Sequence, residues 1–528
     1  MRKTLLSVAL LMSMSAMAQE TYTNAELLTE DLNGTARYVG MGGAMEALGA
    51  DISTTNTNPA GVGLFRRSMI NLSGGMISQQ DAGDSQLGDA AHASLDQFGF
   101  VWNTHFGRGK FLNIAISYKK TRNFNSLLNV SDALNGSSQN MNSYMNLMDA
   151  KNNATSKDWL NNYAVSQLDA LYYKTFVGDK DGNLYYNTAD SYVMSRANKG
   201  YIGEYNINFS GNVTNRLYLG LTLGFCDVNY KSLTVYSESL LNGSHKPIGS
   251  VTISDQREIT GSGFNVKAGA LLFPIDESPF RIGAYLSTPT WYDLHTVNYT
   301  YLSNNAETGG NPIDSNYHSE GEYDYRVYSP WKFGISLGHT ISNYIALGAT
   351  YEYSDYSDIS SRVIDGYDYY GQASSFKDVN MNAHTQRSLK GVSTLKVGAE
   401  VKASPEIAVR LGYNYISPMY KTDAFKDGTI SSYGTYYSST TDYTNWKATN
   451  RLTCGVGYSK GAFGVDLAYQ YSAVNGNFQP FMSSSATYNW DNNGDGVTDE
   501  VEKVENKSQP IKVSNKRHQL IATFTYKF

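Results

Sequence analysis

Residues 217–225 read LYLGLTLGF. In an extended chain Leu217, Leu219, Leu221, Leu223 and Phe225 fall on one side, and Tyr218, Gly220, Thr222 and Gly224 on the other. A side-chain period of two marks a strand with one apolar face and one face that is polar or very small. The pattern returns at Ile345, Leu347, Ala349, Tyr351 and Tyr353, and again at Phe463, Val465, Leu467, Tyr469 and Tyr471. Read this way, strands are expected at about 69–78, 94–103, 111–121, 201–211, 216–229, 259–273, 280–292, 323–338, 344–356, 390–403, 407–418, 447–459, 463–474 and 515–528, fourteen in all.

The connections are of two kinds. Short turns stand at NTHFGRGK (103–110), GNVTN (211–215), PIDESP (274–279), TISN (340–343), SPE (404–406) and KGA (460–462). Long polar loops stand at 79–93, 122–200, 230–258, 293–322, 357–389, 419–446 and 475–514, strictly interleaved with the turns. An up-and-down meander with every long loop at one end is the layout of a transmembrane barrel, whose short turns face the periplasm and whose apolar faces meet lipid. A soluble sandwich would scatter its loop lengths and turn its apolar faces into a shared core. Tyr351 with Tyr353, Tyr413 with Tyr415 and Tyr469 with Tyr471 sit at strand ends, where an aromatic girdle would lie. The fold class expected is all-β, a fourteen-stranded antiparallel transmembrane β-barrel.

Composition agrees. The mean hydropathy is polar at −0.40, yet the chain holds 42 tyrosines and 20 phenylalanines and no apolar run near the ~18 residues that a spanning helix needs. Residues 1–18 read as a signal peptide, with Arg2 and Lys3 before the apolar Leu5–Met12 and a small-x-small site at Ala16-Met17-Ala18. Its removal leaves 42 − 2 = 40 basic against 48 acidic side chains, a net charge of −8 that argues against nucleic acid as a partner. The two cysteines are not a framework: by parity Cys226 faces the lumen and Cys454 faces lipid.

One stretch follows neither strand nor helix period. Thr35–Arg67 is TARYVGMGGAMEALGADISTTNTNPAGVGLFRR, rich in glycine and alanine and ending in an Asn58-Pro59-Ala60-Gly61 turn. Small residues around an X-Pro turn suit backbone packed tightly inside something larger. With Ala36-Arg37, Gly40-Met41-Gly42-Gly43-Ala44, Asn58-Pro59-Ala60-Gly61, fourteen strands and the terminal Phe528 together, the chain resembles the FadL/TodX family of outer-membrane transporters. The resemblance implies a lumen plugged by an N-terminal hatch, uptake of long-chain fatty acids or other hydrophobic small molecules, and a place in the outer membrane of a Gram-negative bacterium. It implies three parts: signal peptide 1–18, hatch 19–67 and barrel 68–528. Gating would lie with Gly40, Gly42, Gly43, Asn58, Pro59, Ala60 and Gly61, and apolar ligand contacts with Met41, Met45, Leu48 and Leu64. Outer-membrane lipid, lipopolysaccharide and the barrel-assembly machinery are the other partners implied, for a monomer. In that family a kink in the third strand opens the wall sideways. Here 111–121 contains no glycine or proline, and Gly99, Gly107 and Gly109 are the nearest weak points.

Three further readings stand beside this one. Asp491, Asn493, Asp495, Gly496, Val497, Asp499 and Glu502 fit the calcium-loop pattern in full, so a structural calcium is expected in the last outer loop, with no other cofactor required. Within the loop 122–200, Trp159, Leu160, Tyr163, Val165, Leu168 and Leu171 recur at helical spacing, so 154–173 is expected to hold an amphipathic helix. No enzyme is expected, since the histidines show neither HxH nor HExxH spacing and no G-x-S-x-G elbow occurs. The alternative function is a porin-like channel or a surface receptor or adhesin for polar ligands, which the inward charges Lys332, Glu352, Lys396, Glu400, Arg410 and Asp466 would suit.

Overall fold

A computed structural model describes residues 20–528 apart from 83–86, 106–109, 154–164, 308–313, 343, 368, 370–372, 428–429, 431, 433–438 and 491–499. All fourteen expected strands are present. The first five are Met69–Gln79, Ala91–His105, Phe111–Asn123 continued by Ser126–Ala133, Thr188–Asn212 and Leu217–Leu241. The next four are Pro247–Leu272, Arg281–Ser287 continued by Trp291–Asn304, Asn316–Tyr328 continued by Lys332–Ile341, and Ile345–Asp355 continued by Ser360–Tyr367. Gly391–Lys402, Ile407–Ile416, Tyr443–Lys460, Phe463–Gln479 and Ile511–Lys527 complete the set. Each pairs antiparallel with its neighbour in sequence, and the last returns to the first from Met69–Lys527 to Gln79–Arg517. Closing the sheet on itself removes the two free edge strands that would otherwise meet hydrocarbon, where each unpaired group costs several kcal/mol.

The parity read from sequence holds. Leu219, Leu221 and Phe225 are exposed on the outer surface while Tyr218, Thr222 and Cys226 are buried inside. Cys454 is exposed on the lipid side, and neither cysteine is bridged.

Several strands run far past the membrane. The fourth, fifth and sixth have 25, 25 and 26 residues, against the ~9–11 that a membrane crossing uses. Stretches expected as loops, notably 188–200, 230–258 and 293–304, are strand. The physical reason is an inversion of polarity along an unbroken period. Below, odd-numbered residues of the fifth strand are apolar and face lipid; above, Asp227, Asn229 and Lys231 take the outer face, and Val228, Tyr236 and Leu240 are buried inside. A rule that looks for apolar residues on one constant face ends the strand at this switch.

The outer mouth has a core of its own. Helix Gln139–Asn153 and helix Gln167–Tyr172 pack with Tyr192, Met194, Tyr236, Leu240, Val251 and Ile253 of the raised wall. The amphipathic helix expected over 154–173 is thus present in part at Gln167–Tyr172, while 154–164 lies outside the described residues. The neighbouring helix was legible too, through Met141, Tyr144, Met145 and Met148 at i, i+3, i+4 and i+7.

The third strand is interrupted, although it holds no glycine or proline. An Asx turn breaks it: the Asn125 amide donates to Asn123 Oδ1 at 3.0 Å, and Asn125 Oδ1 accepts from the Gly200 amide at 3.2 Å. Its pairing with the fourth strand already shifts register between Lys120 and Arg122.

The face assignment predicts thiol chemistry. In a reconstituted bilayer a lipid-soluble maleimide should modify one thiol per folded chain and none in Cys454→Ser. Reaction of Cys226 in the folded protein would show the parity to be wrong.

Candidate functional site

Residues 20–67 lie inside the barrel, and nearly all of 36–63 are buried. This plug is seated on glycine. Gly338, Gly348, Gly398 and Gly412 stand opposite one another on four successive strands. A Cβ at Gly348, Gly398 or Gly412 would overlap the backbone of Ala44, Met41 and Gly42. Across the lumen Gly220 and Gly269, also paired, leave room for Asn58 and Pro59 in the same way. Gly42 and Gly43 themselves have φ of +64° and +81°, a region that favours glycine.

The Asn58-Pro59-Ala60 turn is held at both ends. Asn58 Oδ1 accepts from the Ala60 amide at 3.2 Å, and its Nδ2 donates to the carbonyls of Glu46 (3.1 Å) and Ala270 (3.2 Å). The Ser210 hydroxyl donates to Pro59 O at 2.7 Å. Gly61 lies against Thr54 and Gly49, and Gly40 against Gly455 and Arg410. The turn is therefore an anchor on the fourth to sixth strands.

Charge binds plug to wall as well. Arg37 meets Glu400 through two hydrogen bonds of 2.9 Å, and Arg410 bridges Glu400 (2.7 Å) to Asp466 (2.6 Å). Lys396 reaches Glu46 at 3.0 Å and Glu352 at 3.6 Å; Lys332 reaches Glu30 at 2.7 Å. Of the six inward charges, Lys332, Lys396 and Glu400 pair with plug side chains, and Glu352, Arg410 and Asp466 pair with neighbours on the wall. Removing one partner of a buried pair leaves a charge stranded, which costs about 3–5 kcal/mol.

Above this floor lies a cavity of about 300 Å³. Tyr22, Leu27, Leu32, Phe124, Tyr230, Ile259, Met419 and Trp446 give it apolar surface. Ten cationic side chains line it (Lys119, Arg122, Arg196, Arg257, Lys332, Lys396, Lys426, Lys447, Arg451 and Arg517) against five carboxylates, Glu26, Glu30, Asp31, Glu352 and Asp442. Lys426 is buried and donates to the carbonyls of Thr440 (2.6 Å) and Asp442 (3.2 Å). Lys119 rests on the Tyr38 ring at 5.3 Å. The cavity lining is thus amphipathic, with an excess of cations.

The wall beside the cavity has a seam. The ladder between the second and third strands ends at Gln97–Lys119, although the second reaches back to Ala91 and the third runs on to Asn123. Plug residues fill the missing rungs. Asn33 Nδ2 donates to Asp96 Oδ1 and to Lys120 O, both at 3.0 Å; the Asp31 amide donates to Thr121 O at 2.8 Å, and Asp31 Oδ2 accepts from the Asn123 amide at 2.9 Å.

The outer mouth carries one unusual acid. Glu238, above the membrane belt, is fully buried, and its Oε1 accepts from Tyr236 OH and from the Gln139 amide at the start of the 139–153 helix, both at 2.6 Å. Burial pushes its carboxyl up from 4.5 to about 7.

The residues expected from sequence divide clearly. The seven gating positions all lie in the plug seat. Met41, Met45 and Leu48 cluster with Leu32 and Tyr38, and Leu64 packs by Ala60, Tyr218 and Leu271; among the described residues none of the four lines the cavity. Of the calcium-type loop, 491–499 (Asp491, Asn493, Asp495, Val497 and Asp499) lie outside the described residues, as does the signal peptide, and Glu502 is described only as strand backbone. Of the lumen cations, sequence reading named Lys332 and Lys396 as inward charges but not Lys119, Arg451 and Arg517, although these fall on the inward parity of their strands.

No protein-family model matches the chain, and no curated protein sequence matches it. Solved structures of similar fold include the Ralstonia pickettii toluene transporter TbuX (13% identity, TM-score 0.47, covering 94% of this chain and 99% of that one). A Pseudomonas aeruginosa FadL homologue gives 12% identity and a TM-score of 0.48, covering 95% of this chain and 99% of that one. The CymD monoaromatic hydrocarbon channel gives 12% and 0.47, covering 94% and 98%. Likeness at this level sets no correspondence between residues.

Two outcomes follow from the site. Gly398→Ala drives the plug off the wall, and overpacking of this kind costs about 1–3 kcal/mol; the heat-induced loss of folded-barrel gel mobility should move to lower temperature. Gly464→Ala, which meets only ordinary contacts, should leave it unmoved. Because the folded pKa of Glu238 is raised, docking of the 139–153 helix is strongest below about pH 4.5 and weakens as pH rises through about 7. Limited proteolysis should cut 139–153 faster at pH 8 than at pH 5.5 in the parent, and equally at both in Glu238→Gln.

Proposed function

We propose that the protein imports amphipathic compounds with an acidic head across the outer membrane, long-chain fatty acids being the nearest class, and that it belongs with the FadL/TodX transporters. The observation that carries this reading is the enclosed lumen cavity, where aromatic and aliphatic side chains stand among ten cations and five carboxylates. A neutral hydrocarbon gains only burial against the apolar residues, whereas a carboxylate adds charge-assisted hydrogen bonds of about 1.5–3 kcal/mol each.

The route follows from what is closed. Plug contacts reach every strand from the second (Gln97) to the fourteenth (Thr523), so the floor offers no straight path downward. At the seam between second and third strands the ladder stops short, and Asn33 of the plug and the Lys120–Ser94 hydrogen bond cross it instead. Leaving through it keeps an acyl chain in hydrocarbon and avoids exposing each methylene to water at ~0.8 kcal/mol. The plug also weighs against the porin-like alternative, whose lumen must stay open to water.

The test is binding and conductance on one preparation. In nanodiscs palmitate should bind about tenfold or more tightly than the uncharged palmityl alcohol, and in a planar bilayer no large steady conductance should appear. Equal affinities, or a permanently open channel, would sink the proposal.

A further inference from the structure

The outer mouth is roofed by the helices Gln139–Asn153 and Gln167–Tyr172. On one side they share a core with Val251 and Ile253 of the sixth strand, and on the other with Phe478 of the thirteenth and Tyr488 and Val504 of the last outer loop. The sixth and thirteenth strands are half a turn apart in a ring of fourteen, so the roof crosses the mouth from side to side. Hydrogen bonds hold both sides. Asn506 Nδ2 donates to Ser138 O and to Asn142 Oδ1, both at 2.7 Å, and the Gln139 amide donates to Glu238 of the fifth strand. The cavity lies beneath: Ser232, which lines it, stands six residues nearer the membrane than Glu238 on the same strand.

Buried acids make two joints of this roof. Glu238 ties the first helix to the wall. Asp169 ties the second helix to the first, its Oδ2 accepting from Ser166 Oγ at 2.7 Å and from Asn146 Nδ2 at 3.2 Å. The other oxygen of each acid, Glu238 Oε2 and Asp169 Oδ1, is buried with no hydrogen-bond partner among the described residues. That is tolerable in a neutral acid and costly in a carboxylate. The titratable groups facing Glu238 are Tyr236 on its own strand, Tyr192 directly across the ladder on the fourth, and Tyr172 of the second helix, which also faces Asp169. The first helix presents Gln139 and Asn140, and the sixth strand Val251. Burial keeps the three phenols neutral, and among the described residues no cation acts on either acid. Burial raises the Asp169 carboxyl from 3.8 to about 6, as it raises that of Glu238 to about 7.

We propose that the two helices are a proton-operated lid: with Glu238 and Asp169 neutral the lid shuts the mouth, and their ionisation lifts it and opens the lumen to the outside. A carboxylate formed in either joint has no counter-charge there and gains water by leaving. Because both folded values are raised, the shut state is favoured most below the ordinary carboxylate range and is lost as pH rises through about 6 and then about 7. The lid acts on entry whatever the solute, so it stands apart from the import reading above.

The reporter is Ser232→Cys in a Cys226→Ser, Cys454→Ser background, labelled in nanodiscs with a charged maleimide. Ser244→Cys, on the exposed turn at the tip of the same strand, is the reference, and the ratio of the two rates cancels the titration of the thiol itself. The ratio should rise about tenfold from pH 5 to pH 8 in the parent background. In Glu238→Gln/Asp169→Asn, whose amides keep the donor of the neutral acids, it should stay at its pH 5 value throughout. Should the double variant fail to assemble, Glu238→Gln and Asp169→Asn singly should each shrink the rise. A ratio in the parent that does not change with pH, an undiminished rise in the double variant, or a full rise in both single variants overturns the inference. None of these outcomes touches the import reading, which palmitate binding decides.

Discussion

The structure depends on a close approach of backbone to backbone. The plug lies so near the wall that no side chain fits between them on the strands facing residues 41–44, and Gly348, Gly398 and Gly412 of the glycine row are what permit it, with Gly338 against Ala47 and Leu48 at its end. Glycine in a strand ordinarily weakens it by leaving nothing to pack. Here the plug supplies the missing packing, so wall and plug complete each other. The half-buried pair Arg37–Glu400 and the buried pair Lys396–Glu46 then set the register of one surface on the other.

The two halves of the plug differ in how they are held. The glycine seat and the Asn58 anchor leave residues 36–67 no direction in which to yield. Residues 20–33 are held through side chains and single hydrogen bonds: Tyr22 to Asn445, Thr21 to His384, Asn24 to Ser361 and Asn33 to the seam. The Asn-Pro-Ala turn, prominent in the sequence, belongs to the more tightly held half.

How much of this could be read beforehand follows from the physics of each feature. Strand number, closure and the lumen and lipid faces were legible because lipid imposes a strict period of two. The raised outer strands were not, because Tyr236 and Leu240 continue the period on the opposite face. The break in the third strand was missed because it is made by the side chains of Asn123 and Asn125, with no glycine or proline to mark it. Met41 and Met45 drew attention as adaptable apolar contacts, yet a seat this tight turns them into filling. The arginines around Asp31 come from residues 122, 451 and 517, and only the closed barrel brings them together.

The glycine seat also dictates an order of events. The plug precedes every strand in the chain, yet its seat is built from strands that come hundreds of residues later. Once Met69 to Gln79 has zipped onto Lys527 to Arg517, the cylinder is complete, and a folded turn anchored on Ser210 and Ala270 has no way in from either end. The plug must therefore lie against the open sheet before the first and last strands meet. Biogenesis is a wrapping of the wall around its own stopper, and the closing seam is the last joint to form.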